Sequence, residues 1–111
     1  MDKLETYRNY IQDILETVGS YKSIPEEIES EVIIDRAHDH YLLVNVGWKD
    51  QKRTYGNSIH IDIKEGKIWI QRDMTDLRIA EQLLEKGVPK ADIVLAFHSP
   101  AKRQLMDFAV A

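Results

Sequence analysis

The sequence predicts an α+β domain: an antiparallel four-stranded β-meander with an N-terminal helix and a second helix packed on the sheet, plus a short C-terminal strand. Three observations carry this. Residues 2–18 place apolar side chains at helical spacing, residues 31–72 change to a period of two, and residues 75–86 return to helical spacing. With 111 residues, 43 % of them hydrophobic, the chain has material for one core, so residues 1–111 read as a single domain.

In the first segment Leu4, Tyr7, Ile11, Ile14, Leu15 and Val18 share one face of an amphipathic helix. Asp2 is placed to cap it, with Glu5 three residues on, and Gly19 to end it. Residues 20–30, containing Pro25 and several acids, read as a connector.

Turn chemistry then sets the strand registers. In Ile63-Lys64-Glu65-Gly66-Lys67-Ile68 the glycine takes the second position of a two-residue hairpin turn, pairing Ile63 with Ile68, Ile61 with Ile70, Asp62 with Trp69 and His60 with Gln71. An even loop at Asp50-Gln51 sets Val46 opposite Tyr55 and Leu42 opposite Ile59, whereas a three-residue loop would mix apolar and polar faces. An earlier strand, 31–35, joins through the turn Ala37-His38-Asp39. The core face expected from these registers carries Leu42, Val44, Val46, Trp48, Tyr55, Ile59, Ile61, Ile63, Ile68 and Ile70. The second helix supplies Leu77, Ala80, Leu83 and Leu84, with Asp73 or Thr75 as cap and Gly87-Val88-Pro89 as stop. Residues 93–97 read as a further short strand, and Ser99-Pro100 as a helix start or a turn.

The opposite face of the meander presents Tyr41, Leu43, Asn45, Gly47, Gly56, Ser58, His60, Asp62, Trp69 and Gln71. Two readings follow. Either a helix or the C-terminal segment covers this face and its polar groups bond within the fold, or it is a protein-binding or dimerisation surface, since interfaces favour Tyr, Trp and Arg. The second reading centres on Tyr41, His60, Trp69, His98 and Arg103, with Trp69 as the anchor.

Composition narrows the chemistry. The absence of cysteine excludes disulfides, thiol catalysis and cysteine-ligated zinc. A net charge of −4 works against nonspecific affinity for DNA, leaving only the small basic groups Lys49, Lys52, Arg53 and Lys102, Arg103 for direct phosphate contact. A hydrolase would have to draw on His60, Asp62 and His98, with Ser58 as its hydroxyl, but no Gly-x-Ser-x-Gly elbow is present. No phosphate-binding glycine loop occurs. His38, Asp39 and His40 are adjacent, and adjacent side chains on a strand or turn point apart, so no metal site is expected there. No catalytic residue, metal or cofactor is expected. No apolar run approaches the roughly 18 residues of a membrane span, and Met1-Asp2-Lys3-Leu4-Glu5 lacks the basic start and apolar stretch of a signal peptide, so a cytoplasmic location is expected.

Several stretches resemble the XisI family: Asp39-His40-Tyr41-Leu42 with Val46-Gly47-Trp48, the run from Ile59-His60-Ile61-Asp62-Ile63 through Gly66-Lys67-Ile68-Trp69-Ile70-Gln71, then Gly87-Val88-Pro89-Lys90, Asp92-Ile93-Val94-Leu95-Ala96-Phe97-His98 and the closing Phe108-Ala109-Val110-Ala111. The resemblance runs in order through nearly the whole chain. It implies a small cyanobacterial factor that controls excision of the fdxN DNA element, a rearrangement carried out by a separate recombinase. It also implies an XisH-like partner of endonuclease-like fold, and no catalytic residues. The function expected is that of a non-enzymatic accessory factor, a possible homo-oligomer that touches DNA only indirectly and acts by binding a protein.

Overall fold

The computed structural model describes residues 2–20, 27–75 and 77–111. Helix α1 (Lys3–Gly19) leads into strands β1 (Ile28–Asp35), β2 (His40–Lys49), β3 (Lys52–Lys64) and β4 (Lys67–Asp73), and then into α2 (Ile79–Glu85). A 3-10 turn (Lys90–Asp92), strand β5 (Ile93–Leu95) and the short helix α3 (Pro100–Arg103) complete the chain. Of the connector expected at 20–30, residues 21–26 lie outside the described residues, as does Asp76 of the expected second helix.

The strands form one sheet in the order β1-β2-β3-β4-β5. The first four make the antiparallel meander expected, while β5 pairs with β4 in parallel, setting Ile68, Trp69 and Ile70 beside Ile93, Val94 and Leu95. The sheet is therefore mixed. A strand that returns through a crossover helix, here α2, can run parallel to the one before it, which a tight hairpin cannot achieve. The last residues add to this edge, where Ala109 N–H donates to Ile93 O at 2.9 Å.

Helix α1 begins where the sequence places it. The Asp2 carboxylate accepts from Leu4 N–H at 2.9 Å, occupying one of the first-turn donors that has no partner inside the helix. Its buried stripe is Tyr7, Ile11, Ile14, Leu15 and Val18, packed in one cluster with Ile59, Ile61, Ile68, Ile70, Ile79 and Leu83. Each fully buried aliphatic side chain contributes about 1.5–3 kcal/mol relative to exposure, so this cluster carries the fold.

Helix α2 starts at Ile79, later than the spacing predicts. Asp73 accounts for the delay, since its carboxylate accepts from Thr75 N–H, from Thr75 Oγ1 and from Ile79 N–H at 3.0, 2.7 and 3.2 Å and so holds a turn ahead of the helix. Ile79 and Leu83 are its buried residues, and Leu77, Ala80 and Leu84 pack at the margin. Gly87, with φ of 102°, stops the helix just past its last turn, as Gly87 N–H donates to Leu84 O and Val88 N–H to Leu83 O, both at 3.0 Å. Ser99 caps α3 by accepting from Lys102 N–H at 3.2 Å, and Pro100 takes the first helical position.

The hairpin at Glu65-Gly66 has the register expected: Ile61 pairs with Ile70 and Ile63 with Ile68, and all four lie in the core. Two bulges alter the rest. Between β2 and β3 the register shifts at Leu43/Val44, so Val46 faces Tyr55 as expected, but Leu43, not Leu42, faces Ile59. Ser58 is the extra residue. Between β3 and β4 the shift at His60/Ile61 sets His60 opposite Arg72 instead of Gln71.

The first bulge corrects the expected core. Tyr41 and Leu43 are buried beneath α1, while Leu42, Val44, Val46, Trp48 and Tyr55 belong to the other face. A slip of one residue exchanges the two faces of a strand, and that is what the expected register missed.

Asp39 ties α1 to the sheet. Arg8 grips its carboxylate through Nε and Nη2 at 2.8 and 3.2 Å, and the Tyr41 hydroxyl donates to it at 2.9 Å. The Arg8 hydrogen bond, opposed by burial and reinforced by Tyr41, holds the Asp39 carboxyl below the usual carboxylate range. A group whose pKa is depressed in the folded state stabilises it above the unfolded pKa, roughly 3.9, and loses that contribution as the pH falls through the folded value. Acid titration of unfolding is therefore expected to show stability falling below about pH 4, with a shallower fall in Asp39→Asn. Equal slopes for the two proteins would remove Asp39 from the acid response.

Candidate functional site

With α1 and α2 on one side of the sheet, the register assigns the other side to alternate residues of each strand. This second face carries Ile33 from β1, His40, Leu42, Val44, Val46 and Trp48 from β2, Tyr55, His60 and Asp62 from β3, and Trp69 from β4. It is more apolar than the sequence suggests, because the bulge moves the aliphatic row of β2 onto it. Ile33 is 44 % exposed, Trp48 55 % and Tyr55 73 %. The Arg53 guanidinium sits over both exposed rings, 5.6 Å from Trp48 and 5.7 Å from Tyr55.

The same register shift gathers a polar cluster. His40 faces Asp62 directly across β2 and β3, and His60 stands two residues from Asp62 on the same strand face. Their side chains converge: His40 Nδ1 lies 2.9 Å and His60 Nε2 3.0 Å from the single oxygen Asp62 Oδ1. Gln71, the extra residue of the second bulge, donates from Nε2 to the other carboxylate oxygen at 3.3 Å. Asp62 is the buried polar residue of the sheet, whereas the His40 side chain is 55 % exposed. The hydrogen bond to Asp62 raises the His40 pKa above its ordinary value.

The residues expected to form the interface divide. Tyr41 is excluded from it, being fully buried on the core side. His60 and Trp69 lie on the second face as expected. Trp69 is partly covered by cations, with Lys64 Nζ 4.4 Å and the Arg103 guanidinium 5.7 Å from its rings, and its indole N–H donates to Lys64 O at 3.2 Å. Arg103 donates from Nη1 to His98 O at 3.2 Å, which joins α3 to the loop after β5. The His98 ring packs on Phe97, 4.5 Å between centroids. It is not a member of the His40, His60, Asp62 group.

A groove of 410 Å3 beside His60 is lined by Asn57, Gln71, Arg72, Asp73, Met74 and Phe97. The Ser58 hydroxyl accepts from Asn45 Nδ2 at 3.2 Å and is not bonded to His60. The serine, His60 and His98 of the hydrolase reading thus do not assemble. The adjacent trio His38, Asp39 and His40 disperses as expected: His38 bonds Asp35, Asp39 bonds Arg8, and His40 turns to Asp62. Sequence reasoning missed His40 as a member of the polar cluster. The His60-x-Asp62 spacing was visible, but the third residue arrives only through the bulge.

These features define a class: a small α+β domain in which α1 and α2 cover one sheet face and leave an apolar and aromatic face, with an embedded histidine–aspartate cluster, largely open on the other. The XisI protein family matches residues 1–110, and the chain belongs to that family. The crystal structure of a XisI-like protein from Anabaena variabilis superposes with a TM-score of 0.92 at 41 % identity, covering 97 % of this chain and 99 % of that one. The structure of the fdxN element excision controlling factor XisI from the same organism superposes with a TM-score of 0.87 at 40 % identity, covering 99 % of this chain and all of the other. No curated protein matches the chain.

Proposed function

We propose that the protein is a non-enzymatic accessory factor in the control of fdxN-type DNA excision, and that it acts by binding a protein partner on its second sheet face. The observation that carries this is the open face itself. Trp48 and Tyr55 stand more than half in solvent, and Ile33 nearly half, beside the aliphatic row Leu42, Val44 and Val46, an arrangement that costs a lone monomer and suits an interface with a hydrophobic centre and a charged rim. Glu29, Glu31 and Arg53 supply that rim. The relative named as an excision controlling factor supports the process, and the family resemblance supports an XisH-like protein of endonuclease-like fold as the partner, or a second copy of this chain. Among the described residues no helix is long and apolar enough to cross a membrane, and the proposed setting is the cytoplasm.

Direct DNA binding is less well supported. The candidate groups Lys49, Lys52, Arg53 and Lys102, Arg103 are divided between the β2–β3 turn and α3, and Arg53 and Arg103 are both laid over aromatic rings. In this reading DNA is reached through the partner.

Trp48 and Trp69 anchor the test. The protein is to be co-expressed with an XisH-like partner, and its molar mass followed by light scattering together with retention of the partner. Trp48→Ser and Trp69→Ser are each expected to weaken association by about tenfold or more, the loss of a 2 kcal/mol aromatic anchor exceeding one decade in Kd. If both variants fold and hold partner and oligomer as the parent does, the second face is not the binding surface.

A further inference from the structure

The convergence of His40, His60 and Asp62 goes beyond a partner surface and does not depend on one. We propose that these three residues form a binding site for one divalent transition-metal ion of the zinc type. Two imidazole nitrogens and a carboxylate oxygen, His40 Nδ1, His60 Nε2 and an Asp62 oxygen, lie within 4.8 Å of one another. Both nitrogens approach the same oxygen, at 2.9 and 3.0 Å. Ligand atoms that far apart subtend roughly 90° at an ion bound at about 2.0–2.1 Å, the usual zinc–nitrogen and zinc–oxygen distance. Those two edges of a coordination polyhedron therefore exist already in the side-chain arrangement.

The donor set selects the ion. Two imidazoles with one carboxylate suit zinc, cobalt, nickel or copper, while magnesium and calcium prefer oxygen ligands throughout. Three features favour a built site over a chance surface cluster. All three ligands project from paired strands rather than from a loop, which fixes their separation. Gln71 holds the second oxygen of Asp62 at 3.3 Å and so turns Oδ1 toward the histidines, the orienting role that outer partners play around metal ligands. Asp62 is only 12 % exposed at its side chain while His40 is 55 % exposed, which gives a floor beneath the ion and a route in from solvent. Three protein ligands leave a coordination position for water or for a donor from another molecule.

The test is titration of the chelator-treated full chain with Zn2+ by calorimetry and with Co2+ by visible absorption. The expected result is one saturable equivalent per chain, with Mg2+ producing no response. His40→Ala and His60→Ala should each lower the affinity at least about tenfold, since loss even of an outer partner costs 10–100-fold. His38→Ala, which alters an exposed histidine outside the group, should leave it unchanged. His40 is the safer variant because its side chain already lies half in solvent. If the parent shows no saturable binding, or if folded His40→Ala and His60→Ala both bind as the parent does, the proposal is overturned. In the first outcome the cluster is a hydrogen-bonded network alone, and in the second the ion sits elsewhere.

Discussion

Replacing Tyr41 with alanine is expected to destabilise the protein by about 3–5 kcal/mol, the range for removing a buried aromatic ring from a packed core. Tyr41 is fully buried, in the cluster formed by α1 and the sheet. Its hydroxyl also donates to Asp39, the carboxylate gripped by Arg8 of α1. Truncation would therefore open a cavity and loosen the link between helix and sheet together. Tyr41→Phe separates the two effects: it keeps the ring and removes one hydrogen bond from a charged carboxylate still held by Arg8, for a cost of about 1.5–3 kcal/mol. Denaturant unfolding of both variants checks this. A loss under about 1 kcal/mol for the alanine variant would mean that Tyr41 faces solvent, as the regular register without a bulge would place it.

The second large effect is expected at Gly47, which pairs with Ile28 where β1 begins. A Cβ at this position would stand 2.4 Å from Glu27 O and 3.0 Å from Ile28 Cα. Both obstacles are backbone, so relief requires β1 to move away from β2. Gly47→Val is expected to cost about 3 kcal/mol, the upper part of the range for overpacking, and to speed amide exchange at the start of β1. Gly56 is the internal comparison. It lies on the neighbouring strand, and a Cβ there meets nothing within 4 Å. Gly56→Ala should stay within about 0.5 kcal/mol of the parent. Similar losses at both positions would show that the close approach of β1 is not what the glycine serves.

Both effects trace to how β1, β2 and β3 are registered, and this is where sequence and structure part. The α+β class, the helix over Lys3–Gly19 with its Asp2 cap, the meander, the Glu65-Gly66 hairpin and the stop at Gly87 were all legible. Each rests on local chemistry: a carboxylate two residues ahead of a helical apolar stripe, a glycine that admits positive φ in a turn, an aliphatic alternation of period two. The second face was legible in part. Alternation puts Trp69 and the His60-Asp62 pair on it, whereas Tyr41 turns to the core and His40 joins the cluster only through the bulge.

What the sequence by itself determined was the set of elements and the pairing nearest each turn. What only the tertiary structure decided was which face of β2 turns inward. Residues 41–44 read Tyr-Leu-Leu-Val, apolar on both faces, so alternation holds no information about direction at that point. The choice falls to the bulge at Ser58, and the groups that satisfy its extra residue come from elsewhere in the chain: Met74 N–H donates to its carbonyl at 2.8 Å and Asn45 to its hydroxyl at 3.2 Å. A bulge held by such distant partners has no local signature, because its stability is decided only once β2 and the end of β4 are already in place. That one inserted residue buries Tyr41 and opens the aliphatic row of β2. It also brings His40 to Asp62.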